Sequence, residues 1–133
     1  MYGTQCNVQK KKVFFSKSEQ AFYLELKRQL NTNKYHILAK PRLIDVIENK
    51  EDLDPIKYEL MRKHVDFIIL DYYLKPILAI EVDGWSHKLK HVYRNDSFKN
   101  EIFTIVDMPL ARVQVGQNFS KIIKDIIVKY QLK

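Results

Sequence analysis

HVDFIILDYYLKPILAIEVDGWSH, residues 64 to 87, holds two apolar runs separated by a turn, and carboxylates stand inside both runs. HVDFIILD (64–71) and ILAIEVD (77–83) are rich in β-branched and aromatic residues, the composition of strands. YYLKP between them supplies the turn, so the segment predicts a hairpin around Tyr73 and Leu74. Side chains alternate along a strand, which puts Glu81 and Asp83 on one face about 7 Å apart and Ile80 and Val82 on the other. In the first strand His64, Asp66, Ile68 and Leu70 share a face, opposite Val65, Phe67, Ile69 and Asp71. The hairpin then sets Asp66 opposite or diagonal to Glu81. An uncompensated carboxylate is costly to bury, so this pattern calls for a partner, a proton or a metal ion.

The flanking sequence extends the pattern. SKSE (16–19) is a capping box, with Ser16 as N-cap and Glu19 at N3. Phe22, Tyr23, Leu26 and Leu30 follow at helical spacing, giving a helix to about Asn31. Glu19 shares that inward face, so it can cap its helix, serve a buried site, or do both. YHILA (35–39) reads as a short strand stopped by Pro41. RLIDVIE fits a strand or a helical turn, and Asp54-Pro55 opens a short helix toward Lys63. Residues 92 to 106 predict a helix with Phe98, Ile102 and Ile105 inward and Arg94, Lys99 and Glu101 toward solvent. MPLARVQV is a last strand. Asn118 caps a final helix whose apolar face is Ile122, Ile123, Ile126, Ile127 and Tyr130. The order is helix, three strands, helix, strand, helix: one α/β domain with a central mixed sheet over residues 16–133, preceded by a loosely docked arm, residues 1–15.

Composition narrows the function. A chain of 133 residues, 46% hydrophobic, has enough apolar material for one core. The formal net charge of +7 favours a polyanionic partner such as nucleic acid. Cys6 is the single cysteine, which excludes an internal disulfide and a multi-cysteine zinc site. No signal-peptide pattern follows Met1, and no apolar run approaches the roughly 18 residues of a membrane span. A soluble cytoplasmic protein with no membrane partner is the expectation.

Taken singly, each candidate residue has an ordinary structural use. Asp66 can pair with Lys63 or His64, and Glu81 with Arg112. Asp83-Gly84 is a common turn dipeptide, Trp85 suits a packed loop anchor, and His87 and His91 suit a surface. Together, Asp66, Glu81 and Asp83 on one patch of sheet, with Glu19 able to approach, repel one another and raise each other's pKa. A hard divalent cation, Mg²⁺ or Mn²⁺, relieves that repulsion and keeps its own waters. Beside a basic surface, such an ion is what phosphodiester hydrolysis requires.

The same stretch, with RNDSFKNEIF (94–103) and MPLARV (108–113), resembles the very-short-patch-repair-like branch of the PD-(D/E)XK nuclease superfamily. It is most similar to a little-characterised domain family there, one that reads Lys-His-Val-Asp-Phe, then an acidic strand end and Ser-His, then Arg-x-Asp and Pro-Leu-x-Arg-Val. The resemblance runs from about Ser16 to Val113 and implies a restriction-endonuclease-like domain with an αβββαβ core, a mixed four-stranded sheet flanked by helices and, here, an added C-terminal helix. It implies that Glu19 is the first-helix acid, that Asp66 and Glu81 bind metal, and that Val82 lends its carbonyl. Asp83 departs from the pattern, which expects a lysine there to orient the attacking water. Asp83 is then a further ligand or water-orienting group, His87 the acid–base candidate, and Lys99 a relocated cation. The cysteine-held structural zinc of related repair enzymes is not expected.

The expected function is a Mg²⁺-dependent nuclease acting on DNA in preference to RNA. The alternative is a catalytically inactive nuclease-fold module that binds nucleic acid or a partner protein. A single site cuts one strand at a time, so double-strand cutting calls for a homodimer or two separate events. Trp85, Lys88, Lys90 and Arg94, with Lys99, form the expected nucleic-acid contact. His87→Ala should suppress cleavage with binding nearly intact, since a general acid or base acts on the chemical step. Lys88→Ala with Lys90→Ala should weaken binding and flatten its salt dependence, because phosphate contacts release counterions. If both variants bind and cut like wild type, the substrate approaches from another side.

Overall fold

A computed structural model of the chain describes residues 6–52, 54–84 and 90–133, with the backbone alone over 90–96. The first helix, α1 (Lys17–Gln29), starts at the expected capping box: the Ser16 hydroxyl accepts from the Glu19 N–H, and Glu19 Oε1 accepts from the Ser16 N–H at 2.8 Å. Next come β1 (His36–Ala39), the helical turn α2 (Leu43–Val46) and α3 (Asp54–Arg62). The hairpin forms β2 (Phe67–Leu70) and β3 (Pro76–Asp83), and α4 (Lys90–Ile105) leads to β4 (Leu110–Gln114). The last helix, α5 (Phe119–Lys129), is capped by Asn118, whose side chain accepts from the Lys121 N–H.

The four strands lie in sequence order, β1-β2-β3-β4. The first three are antiparallel neighbours, and β4 runs parallel to β3, a pairing made through the helical crossover α4. Helices cover both faces. Phe67, Ile69, Leu78, Ile80 and Val82 pack with Phe22 and Leu26 of α1 and Ile123 and Ile126 of α5. Ile68, Leu70 and Ala79 pack with Leu43, Leu60, Ile102 and Phe103 from α2, α3 and α4. Every residue of β2 is therefore buried, as its unbroken apolar run requires.

Three expectations are corrected. β2 is shorter than 64–71, because Pro41 opposite has no N–H to donate and Lys40 adopts a left-handed φ of 55°. The chain keeps register there through single bonds: the Lys40 N–H donates to the Asp66 carbonyl at 2.8 Å and Val65 N–H to Pro41 at 3.2 Å. Ile105 is 69% exposed, not inward; the helix buries Ile102 and Phe103 instead and then turns at Asp107. Lys99 stands one turn before Phe103 on that same face and is turned inward rather than to solvent. In the arm, residues 6–13 are exposed, while Phe15 packs on Tyr23 and Phe67.

Phe67 is fully buried, with its ring 5.7 Å from Phe22 and Phe15 and stacked on Tyr23 at 6.1 Å. Phe67→Ala should lose about 3–5 kcal/mol of stability through lost transfer and an unfilled cavity, read as a lower urea midpoint. A loss within experimental error would show that β2 is not the hub of this core.

Candidate functional site

The β2–β3 register pairs Phe67 with Ile80, so the residues just outside that pair, Asp66 and Glu81, face each other. β2 begins at Phe67, and the Val82 N–H that lies beyond that first residue is taken by a side chain: Asp66 Oδ2 accepts it at 2.7 Å. Glu81 is the one polar or charged residue among those buried in the described structure, 7% exposed. Lys99 reaches it from α4, Nζ donating to Oε1 at 3.0 Å, with the lysine side chain 14% exposed.

One lysine does not neutralise two adjacent acids. Burial, and then the charge of Asp66, pushes the Glu81 carboxyl up to about 7, against the pull of Lys99. Burial also raises Asp66, with Glu19 adding to it and the Val82 N–H and Lys99 opposing. Both carboxyls therefore hold a proton more tightly than exposed ones do.

The neighbouring residues are committed elsewhere. Glu81 stands beside Arg112 in the β3–β4 register, and the guanidinium of Arg112 reaches Asp83 at 3.5 Å and the Asn100 side chain at 3.0 Å. Glu19 caps α1 and also meets Lys40 Nζ at 3.4 Å. Burial pushes the Glu19 carboxyl up, but the Ser16 backbone and Lys40 outweigh it, so it lies below the ordinary range. Of its two suggested roles the cap is present, and its charge also raises the Asp66 carboxyl.

Four basic residues that sequence reasoning did not group line a cavity of about 190 Å³ beside the acids: Arg62, Lys63, His64 and Lys99. Lys63 also meets Glu59 and lies 5.0 Å over the Phe98 ring. Burial, then Lys99, depresses the Lys63 pKa. The run Arg62-Lys63-His64, which ends two residues before Asp66, was the available signal. Trp85, His87 and Lys88 lie outside the described residues, as do the side chains of Lys90 and Arg94 on α4.

Among the described residues, no three His, Cys, Asp or Glu side chains converge as a ready-made metal cage. The donor set nevertheless fits Mg²⁺ or Mn²⁺, which bind through one or two carboxylates and keep several waters. Two opposed, under-compensated carboxylates provide that number of hard oxygen ligands.

A carboxyl raised in the folded state binds its proton more tightly there than in the unfolded chain. Its stabilising contribution is complete below the ordinary value of 4.5 and is lost as pH rises toward about 7. In chelator, the urea midpoint should fall across that window, and Glu81→Gln should flatten the fall. A midpoint that rises over the same window, or a slope untouched by the substitution, would contradict the assigned environment of Glu81.

Among the described residues no helix is long and apolar enough to cross a membrane. No curated protein and no solved structure matches the chain. A family model described as "Protein of unknown function (DUF2726)" matches residues 10–129. With a match across nearly all of its length, this chain belongs to the DUF2726 family.

Proposed function

We propose that this chain is a metal-dependent nuclease of the restriction-endonuclease-like fold, acting on DNA in preference to RNA. The observation that carries the reading is the buried Asp66–Glu81 pair at the adjoining strand ends, with Lys99 on Glu81. The sheet order, the parallel β4 and the helices on both faces are compatible with that fold. The net charge of +7 suits a phosphate backbone.

In this reading Asp66, Glu81 and the Val82 carbonyl hold Mg²⁺ or Mn²⁺, with Asp83 close enough to the pair to raise Glu81 further. The bound ion supplies a polarised phosphoryl oxygen and an acidified water. Lys99 supplies the cation that Asp83 cannot: its Nζ, fixed on Glu81, orients the carboxylate and stands where a water or phosphoryl oxygen can take its remaining N–H donors. Glu19 keeps Asp66 under negative pressure from the α1 side. His87 is the acid–base candidate for the leaving oxygen, and Trp85, Lys88, Lys90 and Arg94 complete the substrate contact. Cutting both strands then calls for two copies of the chain or two successive events.

The pairing of Glu81 with Lys99 also favours a second reading, a nuclease-fold module that binds nucleic acid or a partner protein without cutting, because a satisfied ion pair needs no metal to be stable. That module predicts salt-dependent binding without turnover. A cleavage assay on plasmid and single-stranded DNA with Mg²⁺ or Mn²⁺ separates the two. Wild type should cut, and Glu81→Ala and Asp66→Ala should each lose more than the roughly 100-fold that removal of a merely supporting group costs. Undiminished cutting by purified Glu81→Ala would remove this site from the chemistry, and no cutting by wild type would favour the binding module.

A further inference from the structure

Among the described residues, the cavity beside the acids is lined by Arg62, Lys63, His64 and Lys99, none of them acidic. Cations at a helix end have an ordinary explanation, since the C-terminus of α3 attracts Arg62 and Lys63 through its dipole. That explanation does not reach Lys99, which arrives from α4, far away in the sequence. Two pieces of chain far apart in sequence, the end of α3 and the middle of α4, thus bring Arg62, Lys63 and Lys99 to one small space.

Each of these three cations has an anchoring partner. Lys63 is held by Glu59 and the Phe98 ring, and Lys99 by Glu81. The Arg62 guanidinium spends Nη2 on Glu59, at 2.8 and 3.1 Å, and lies over the Tyr58 ring at 5.9 Å. An ammonium carries three N–H donors and a guanidinium five, so each retains donors beyond these anchors. At about 190 Å³ the space is below the range of pockets that enclose drug-sized ligands, and it suits a single small oxyanion.

We propose that this cavity is a pocket for the terminal phosphate of a nucleic-acid strand; the pocket stands on its own residues, and the identity of the strand rests on the nuclease reading. A phosphate monoester carries nearly two negative charges and three acceptor oxygens, which match three converging cations. A phosphate inside a chain carries one charge, and its two neighbours must both leave the cavity. Arg62 provides the planar fork suited to phosphate, and Lys63 and Lys99 provide point charges. Lys99 belongs to both places, so an end seated here sets the first linkages of its strand against Asp66 and Glu81. The chain is then an enzyme of phosphorylated ends, at nicks or termini, rather than of continuous duplex.

The test is fluorescence anisotropy in chelator at one fixed ionic strength. Short labelled DNA strands differ only in carrying a 5′-phosphate, a 3′-phosphate or hydroxyls at both ends. One phosphorylated end should bind about tenfold tighter than the hydroxyl-ended strand, the worth of one charge-assisted hydrogen bond. Arg62→Gln and Lys63→Gln should each abolish that preference while leaving the hydroxyl-ended strand bound as before. Arg62 is largely exposed, so its variant tests the pocket even where Lys63→Gln impairs folding, which a melt would reveal. Equal affinity for all three strands, or a preference that survives Arg62→Gln, overturns the pocket. No turnover is needed here. An end preference without cleavage in Mg²⁺ sinks the nuclease reading alone, and cleavage without an end preference sinks the pocket alone.

Discussion

Two hydrogen bonds at the adjoining ends of β2 and β3 govern the arrangement around them: Val82 N–H on Asp66 and Lys99 Nζ on Glu81. Each solves a problem that the sheet creates. β2 begins only at Phe67, which leaves the Val82 N–H beyond the ladder, and the Asp66 carboxylate takes the place of a strand partner. Glu81 points from a central strand into a covered face, where an uncompensated charge would cost several kcal/mol. The compensation must arrive from another layer. It comes from α4, the helix that the parallel β3–β4 connection carries over that face.

This requirement explains features that otherwise look unrelated. Ile102 and Phe103 dock α4 on the sheet, and helical stepping then turns Lys99 inward, one turn before Phe103. Arg112 is beside Glu81 in the register yet reaches Asp83, so the two acids of β3 are compensated by different elements. The remaining imbalance is concentrated at Glu81, whose carboxyl stands near 7 despite its lysine. A stable core has no use for such imbalance, since an apolar pair of the same volume would pack there at less cost. Perturbed acids that converge beside basic residues are the mark of a site that binds charge.

The strands, the capping box at Ser16 and the facing of Asp66 toward Glu81 were legible because period-two alternation and short-range caps are local. The α1 start at Ser16 and the α5 cap at Asn118 followed from single residues whose side chains bond the next turn. Long-range facts were not legible. Whether RLIDVIE is strand or helix depended on packing, and Leu43 settles it as a helical turn by burying itself under β2. Ile105 has a helical spacing that fits the inward stripe, but the chain turns at Asp107 before any sheet remains to cover it. Lys99 read as a solvent lysine because nothing near it in sequence announces a buried acid on another element. The basic cavity was missed for the same reason: Arg62, Lys63 and His64 are contiguous, but their fourth partner is not.

A shared divalent cation on Asp66 and Glu81 is the proposal most open to direct measurement. Titration calorimetry of the apo protein with Mn²⁺, at a pH above the Glu81 value, tests it without reference to any substrate. One Mn²⁺ per chain is predicted, with binding abolished by Glu81→Gln and by Asp66→Asn in variants that melt normally. No heat of binding in wild type at millimolar Mn²⁺, or binding that persists in both variants, would contradict it.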